Sequence, residues 1–308
     1  MAFWDRLRAS IAARNSLLCV GLDLSPERLP PGQASIADWG RALVAETAEY
    51  ACAYKPNIAF FESGGPQGLA ALREILDAIP SDIPVILDAK RADIAATAEA
   101  YARAAFDVWG ADALTVNPYL GADGILPFAS YRDRGLFILC KTSNPSAGEL
   151  QDWSQDGVPL YQRVAELAHS WLGEAPVGLV AGATYPEAIA EMRARWPGTW
   201  FLIPGVGAQG GELQAVLRAG LDEQGAGVLI NASRSIVQAS DPAAAARELR
   251  DAINAVRRDT VGQPRVSARE RQVNALAQAL YAAGCVRFGD YLLASGAHSP
   301  VYIDLRRL

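Results

Sequence analysis

Histidine, methionine, lysine and cysteine are all scarce in this 308-residue chain, with two, two, three and four copies. Two histidines, His169 and His298, exclude a metal site built on several imidazoles. His169 falls in the helical run YQRVAELAHSWL and reads as a packing or surface residue. The four cysteines (Cys19, Cys52, Cys140 and Cys285) stand far apart with no C-x-x-C pair, so no paired-cysteine motif exists. Three of them lie inside apolar runs, as reduced core residues of an intracellular protein do. No apolar run approaches the ~20 residues that cross a bilayer. The opening segment FWDRLRASIAARN carries charges throughout and has no apolar signal core. These absences read as a cytoplasmic protein with no membrane partner.

The net charge is -6, unevenly spread. Residues 261–308 hold six arginines against Glu270, Asp290 and Asp304, which leaves the first 260 residues at -9. An acidic body argues against nucleic acid as a partner, and an anionic ligand must then be captured by local groups. The three lysines are the most informative positions. Lys55, Lys90 and Lys141 each end an apolar, strand-like run (ACAYK, IPVILDAK, GLFILCK), whereas arginine fills the other 25 basic positions. Arginine effectively never releases its proton; lysine is a compact charge that can deliver one. Lys90 lies in Asp88-Ala89-Lys90-Arg91-Ala92-Asp93, a D-x-K-x-x-D array. The plainer alternative is a set of ordinary solvated charges or a structural ion-pair network.

Strand-like runs fall at 17–23, 51–57, 83–89, 112–117, 135–141, 176–181, 199–204 and 226–231. Helical periodicity follows each, near 36–50, 66–79, 94–109, 123–132, 158–172, 185–195, 210–219 and 242–257. Eight such units with strands apolar on both faces predict an α/β fold, a parallel (β/α)8 TIM barrel over residues 1–258. A doubly wound open sheet is the rival, but its Gly-rich loop after the first strand is missing from Gly21-Leu22-Asp23-Leu24-Ser25-Pro26. Residues 259–268 (DTVGQPRVSA) read as a linker. Beyond it, a helix at 269–283 and strands at 286–293 and 300–304 form a short, incomplete α+β segment that stops at Leu308.

In a parallel barrel every strand end faces one mouth, so Asp23, Lys55, Asp88, Lys90, Asp93, Asn117, Lys141, Ser143 and Asn144 are expected to converge. Asp88 and Lys90, two apart on one strand, point the same way. Alternating carboxylates and ammoniums hold one another charged. Such an array can bring a proton donor and a fixed negative charge to one carbon atom. A second site is indicated after strands 7 and 8, where Pro204-Gly205-Val206-Gly207-Ala208-Gln209-Gly210-Gly211 and Asn231-Ala232-Ser233-Arg234-Ser235 stand. Glycines let a ligand approach the backbone, Arg234 offers a fork for phosphate oxygens, and these two loops are a recurring phosphate site in barrels.

The combination of D-A-K-R-A-D, P-G-V-G-A-Q-G-G and S-R-S-I at these spacings resembles the orotidine 5'-phosphate decarboxylases. K-P-N-I-A-F-F-E (55–62), V-N-P-Y-L-G (116–121) and K-T-S-N-P-S (141–146) are similar to its type 2 bacterial subgroup. The resemblance covers residues 1–258 and implies conversion of orotidine 5'-monophosphate to uridine 5'-monophosphate, without metal or organic cofactor. It implies that Asp88 sits against the substrate carboxylate and that Lys90 protonates carbon 6. Asp23 and Lys55 would hold ribose hydroxyls, Ser143 the pyrimidine, and Gln209 and Arg234 the phosphate, with a mobile loop among residues 205–212. Asp93 and Thr97 would reach into the neighbouring subunit's site, making a homodimer with shared active sites. For Lys141 the resemblance assigns no role, and a structural ion pair and a catalytic part both stay open.

Residues 269–308 resemble the start of orotate phosphoribosyltransferase, without that family's acidic phosphoribosyl-pyrophosphate motif or catalytic loop. This reads as a fusion cut short. Rival readings are a magnesium-dependent D-x-K-x-x-D barrel acting on a sugar phosphate, a Schiff-base aldolase using Lys90 or Lys141, and a non-catalytic scaffold. Chelator sensitivity separates the first and borohydride trapping the second.

Overall fold

The computed structural model describes residues 1–206, 210–260, 276–277, 280–292 and 298–304. The chain divides into two compact units, Met1–Gly262 and Gln263–Leu308. In the first, helix α1 (Phe3–Arg14) precedes strand β1 (Leu18–Leu22) and α2 (Ile36–Thr47). Then come β2 (Ala53–Pro56) with α3 (Gly65–Ala78), β3 (Ile86–Arg91) with α4 (Ala95–Arg103), and β4 (Ala113–Val116) with α5 (Leu126–Ala129). The series ends with β5 (Gly135–Lys141) and α6 (Leu160–Leu172), β6 (Gly178–Ala181) and α7 (Pro186–Arg195), β7 (Trp200–Pro204) and α8 (Gly210–Gly220), and β8 (Val228–Ala232) and α9 (Pro242–Thr260).

The strands run parallel in the order β2-β1-β8-β7-β6-β5-β4-β3. Bridges Tyr54↔Val85 and Asn57↔Asp88 join the two ends, so the sheet closes into the predicted barrel. Strands β1, β2, β4, β6 and β8 are buried at every residue, because a closed sheet is covered on both faces. The N-terminal mouth is plugged by α1. Phe3 and Trp4 pack in an aromatic cluster with Phe137 and Trp200, at ring separations of 4.7 to 6.1 Å. Arg6 is paired with the buried Asp112, whose carboxylate also accepts from Val85 N at 2.9 Å. One end is thereby sealed, and chemistry is left to the other.

Two helices depart from the sequence reading. The expected helix 94–109 is α-helical only to Arg103 and widens into a π-turn at Ala104–Val108, where Trp109 N bonds Ala104 O. The extra residue keeps Ala105 and Phe106 buried and turns Val108 outward. The expected helix 123–132 shrinks to α5, preceded by 3-10 turns at Pro118–Leu120 and Ala122–Gly124. Gly121, at φ 74°, sets the turn before it, and Pro127 stands in the first turn of α5, where proline starts a helix and cannot continue one.

In the second unit β9 (Val286–Leu292) pairs antiparallel with β10 (His298–Ile303). The second strand starts earlier than the sequence pattern indicated. Residues 276–277 and 280–282 are helical; 269–275 and 278–279 of the expected helix, and most of the expected linker, lie outside the described residues. Phe288, Leu292 and Ile303 of this hairpin are exposed.

Candidate active site

At the C-terminal mouth a cleft of about 570 Å³ opens over Asp23, Lys55, Asn57 and Asp88 and runs to Gly205, Asn231, Ser233, Arg234 and Gln238. Lys55 and Asp88 of its lining belong to a charged cluster with Lys90. Lys55 Nζ donates to Asp88 Oδ2 at 2.7 Å, and Lys90 Nζ donates to Asp88 Oδ1 at 2.6 Å. The three come from β2 and β3, the strands joined by the closing bridge at Asn57 and Asp88. Asp88 and Lys55 are buried, but 47% of the Lys90 side chain is open to solvent. Burial alone would raise the Asp88 carboxyl; the charges of Lys55 and Lys90, and their hydrogen bonds, outweigh it and hold the group well below the usual carboxylate range. Burial alone would lower the Lys55 ammonium, but Asp88 and Asp23 together hold it above its ordinary value. The cluster is therefore a fixed ion triad, with one ammonium sealed in and one reaching outward. Cys19 beneath it is pushed up to about 12 by burial, which exceeds the opposing pull of Lys55, and stays a thiol.

The reading of Asp88 and Lys90 as neighbours along a regular strand needs correction. Lys90 has φ 47°, in the left-handed region, and the β3–β4 register shifts between Leu87 and Arg91. Asp88 and Lys90 do meet, but through this irregularity and not through strand alternation.

The cleft also holds unfilled polar atoms. Asp23 Oδ1, Asn231 Oδ1 and Ser233 Oγ are buried with no hydrogen-bond partner among the described residues, and all three residues line the cleft. Buried polar groups are ordinarily satisfied, so Asp23 Oδ1 and Asn231 Oδ1 call for a ligand donor such as a hydroxyl, whereas the Ser233 hydroxyl can also donate to an anion. Gly21 makes the arrangement possible. A Cβ there would lie 2.8 Å from Ser233 Cβ, so β1 must present glycine for the loop after β8 to close on it. Gly205 turns the loop after β7 with φ 89°. Gln209 lies outside the described residues, as do 207 and 208 of the expected loop.

Several expected members of the mouth do other things. Lys141 is buried, donates to Asp152 Oδ1, and stands over the Tyr185 ring at 4.3 Å. It belongs to an ion pair with Asp152, not to the triad. Asn117 caps the turn at 118–120 by accepting from Tyr119 N at 3.0 Å, and Asn144 accepts from Thr142 Oγ1 at 2.6 Å. Ser143 is exposed beside Gly205, where a Cβ would lie 3.6 Å from its Oγ. Its loop is held by Gln151, which accepts from Thr142 N at 2.8 Å and donates to Thr142 Oγ1 at 2.7 Å. Asp93 accepts from Ile94 N at 2.8 Å, and no bond to Lys90 is formed; Thr97 is exposed one turn on. His169 packs as expected, stacked on Trp196 and bonded to Thr199 Oγ1 at 2.9 Å. Asn231 and Ser233, within the loop expected after strand 8, line the cleft, as do Asn57 and Gln238, which had not been singled out. The position of Asn57 at a strand end was the available signal. Among the described residues no three of His, Cys, Asp or Glu are grouped to hold a metal ion.

This geometry agrees with comparison to known proteins. Residues 16–249 match the family described as orotidine 5'-phosphate decarboxylase / HUMPS. The chain belongs to that family. Orotidine 5'-phosphate decarboxylase of Thermomicrobium roseum is 48% identical over 277 residues, covering 85% of this chain and 99% of the relative. The bifunctional enzyme PyrF/PyrE of a Nostoc species is 38% identical over 323 aligned positions, covering all of this chain and 68% of the relative. The solved structure of Leishmania donovani UMP synthase superposes with a TM-score of 0.80 at 48% identity and covers all of this chain, which spans 66% of that protein's length. The family match falls within the barrel unit. The two relatives that cover the whole chain are both larger than it.

Proposed function

We propose that this chain decarboxylates orotidine 5'-monophosphate to uridine 5'-monophosphate, the last step of pyrimidine nucleotide synthesis, with Lys90 as proton donor and Asp88 beside the substrate carboxylate. The observation that carries this reading is the Lys55–Asp88–Lys90 triad, of which Lys55 and Asp88 line a cleft that Arg234 also lines. The carbon–carbon bond to the carboxylate breaks, carbon dioxide leaves, and the electron pair stays on carbon 6 of the ring. An ammonium already fixed beside that carbon stabilises the developing charge without reorganising. Lys90 then gives its proton to carbon 6 and regains one from water, which its exposed side chain can reach. Lys55 keeps Asp88 ionised, and Asp88 keeps Lys90 aimed. Both Asp88 oxygens are engaged by ammonium groups, which disfavours a divalent cation there and so favours this reaction over a magnesium-dependent relative.

At the other end, Arg234 is exposed at the cleft mouth and free to take the phosphate, with Gln209 as its proposed companion. Asp23 Oδ1 needs a donor, which a ribose hydroxyl supplies. Ser143 would face the pyrimidine. The phosphate lies away from the reacting carbon, so its binding energy serves orientation and closure.

The assembly is a homodimer with shared sites. Asp93 and Thr97 sit among exposed apolar side chains, Ile94, Tyr119, Leu120 and Leu126, on elements that pack together at one edge of the mouth. A patch of this kind marks a protein contact surface, and it carries Asp93 into a partner. Residues 269–308 correspond to the beginning of a second enzyme, an orotate phosphoribosyltransferase; the whole-chain match to a bifunctional relative supports this.

The test is turnover by Lys90 variants. Lys90→Ala should abolish uridine 5'-monophosphate formation with the fold intact. Lys90→Arg should not restore it, because a guanidinium keeps its proton. Near-normal activity in Lys90→Arg overturns the assignment.

A further inference from the structure

Thr115 is buried on β4, directly across from the irregular stretch of β3. Leu87 pairs with Leu114, but the next paired residues are Arg91 and Val116. Three residues of β3, Asp88 to Lys90, therefore face a single residue of β4, and their backbone groups drop out of the ladder. The Thr115 hydroxyl takes the place of the missing carbonyls. Its Oγ1 accepts from Ala89 N at 3.0 Å and from Lys90 N at 2.9 Å. Its one proton goes to Asp88 Oδ1 at 2.9 Å, the same oxygen that Lys90 Nζ reaches. Both lone pairs and the proton of the hydroxyl are thus used, all on the residues of the charged array.

We propose that Thr115 is a positioning residue for the proton transfer: it fixes the left-handed backbone at Lys90 and the rotation of the Asp88 carboxylate. A non-glycine residue at φ 47° is held against a cost of about 1–3 kcal/mol, and persists only where its surroundings over-determine it. At Lys90 the over-determining contact is the hydroxyl, which anchors the amide from the β4 side while Asp88 anchors the ammonium. Without it, the part-buried amides of Ala89 and Lys90 lose their acceptor together, and Asp88 Oδ1 keeps only the Lys90 ammonium. The Lys90 amine would then wander over distances that matter, since a misplacement of ~1 Å can cost on the order of 100-fold in rate. The residues proposed to hold the phosphate stand on other segments, after β7 and β8, so substrate binding should be unaffected.

This inference rests on the decarboxylase reading, and its test separates the two. Wild type, Thr115→Val and Thr115→Ser are compared for kcat and KM with orotidine 5'-monophosphate, and for the Cε resonances of 13C-lysine-labelled protein. With three lysines in the chain, Lys55, Lys90 and Lys141 give three signals. Thr115→Val, similar in shape but without the hydroxyl, should lose roughly 100-fold in kcat with KM within ~3-fold. Its Lys90 signal should shift while Lys141 stays in place, and Thr115→Ser should recover most of kcat. Should Thr115→Val fail to fold, Thr115→Cys replaces it, and its kcat must fall between Ser and wild-type-like values on one side and inactivity on the other. A kcat within 3-fold of wild type in the Val or Cys variant overturns the inference, as does a Ser variant no better than Val. An unmoved Lys90 signal does the same even if no wild-type turnover is seen, a result that would sink only the decarboxylase reading.

Discussion

Lys55, Lys90 and Lys141 occupy equivalent places in the sequence, each closing an apolar run, and the structure gives them three different environments. Lys55 is buried against Asp88, Lys90 pairs with the same carboxylate but is half exposed, and Lys141 is buried against Asp152. That the first two would meet Asp88 was legible from strand ends facing one mouth. The direction of Lys141 was not, because the β5–β6 register shifts between Leu139 and Lys141, and a shift of this kind turns a terminal side chain to the other face. Thr115 was equally hidden: a threonine in the apolar run DALTVN looks like any strand residue. The ion triad also makes a pH prediction. Asp88 is held below the ordinary carboxylate value of ~3.9, so its contribution to stability is complete above about pH 5 and is lost as pH falls through ~4 and below. Lys55 is held above the ordinary ~10.4, so its share is complete below that pH and lost only as pH rises past it. Asp88→Asn leaves the buried Lys55 with only Asp23 to balance it and should cost about 3–5 kcal/mol at neutral pH, as broken buried pairs do. In urea unfolding, that gap should narrow as pH drops from 6 to 3. A gap that stays constant would show that Asp88 is not held ionised by its neighbours.

At the scale of elements, the eight strands were readable to within a few residues because a strand buried on both faces is a continuous apolar run. Boundaries failed where backbone irregularity intervened: the π-turn after α4, the broken helix at Pro118 to Ala129, and the left-handed residue in β3. None of these has a pattern in the sequence that distinguishes it from regular structure, apart from the prolines and Gly121. The sequence pattern of glycine and Arg234 in the loops after β7 and β8 pointed to a site there, and residues of both loops line the cleft. The close approach of Gly21 to Ser233, which fixes the second of these loops, depends on two segments 212 residues apart meeting across the β1–β8 seam. Arg234→Ala should remove a charge-assisted contact worth ~1.5–3 kcal/mol and raise KM for orotidine 5'-monophosphate roughly 10- to 150-fold. Orotidine, which lacks the phosphate, should be turned over by wild type and variant with KM values within a few-fold of each other. An equal loss for both substrates in steady-state assays would remove Arg234 from the phosphate site.

For the whole molecule, the exposed apolar edge around Ile94, Tyr119 and Leu126 and the outward-facing Asp93 belong to one proposal, a composite site across a dimer. Mixing inactive Lys90→Ala with inactive Asp93→Ala protein should restore about a quarter of wild-type activity, since half the dimers are then mixed and each carries one intact site. Absence of complementation after demonstrated subunit exchange would place Asp93 in its own chain's site. The division into two units after Gly262 makes the barrel the unit that carries the cleft and the triad. All of these readings depend on one reaction, which a single assay addresses. The purified chain, dialysed against EDTA and given orotidine 5'-monophosphate, should deplete the substrate's ultraviolet absorbance and yield uridine 5'-monophosphate and carbon dioxide in equal amounts. The rate should be unchanged when magnesium is restored. No depletion, or depletion that appears only with magnesium, would contradict the account.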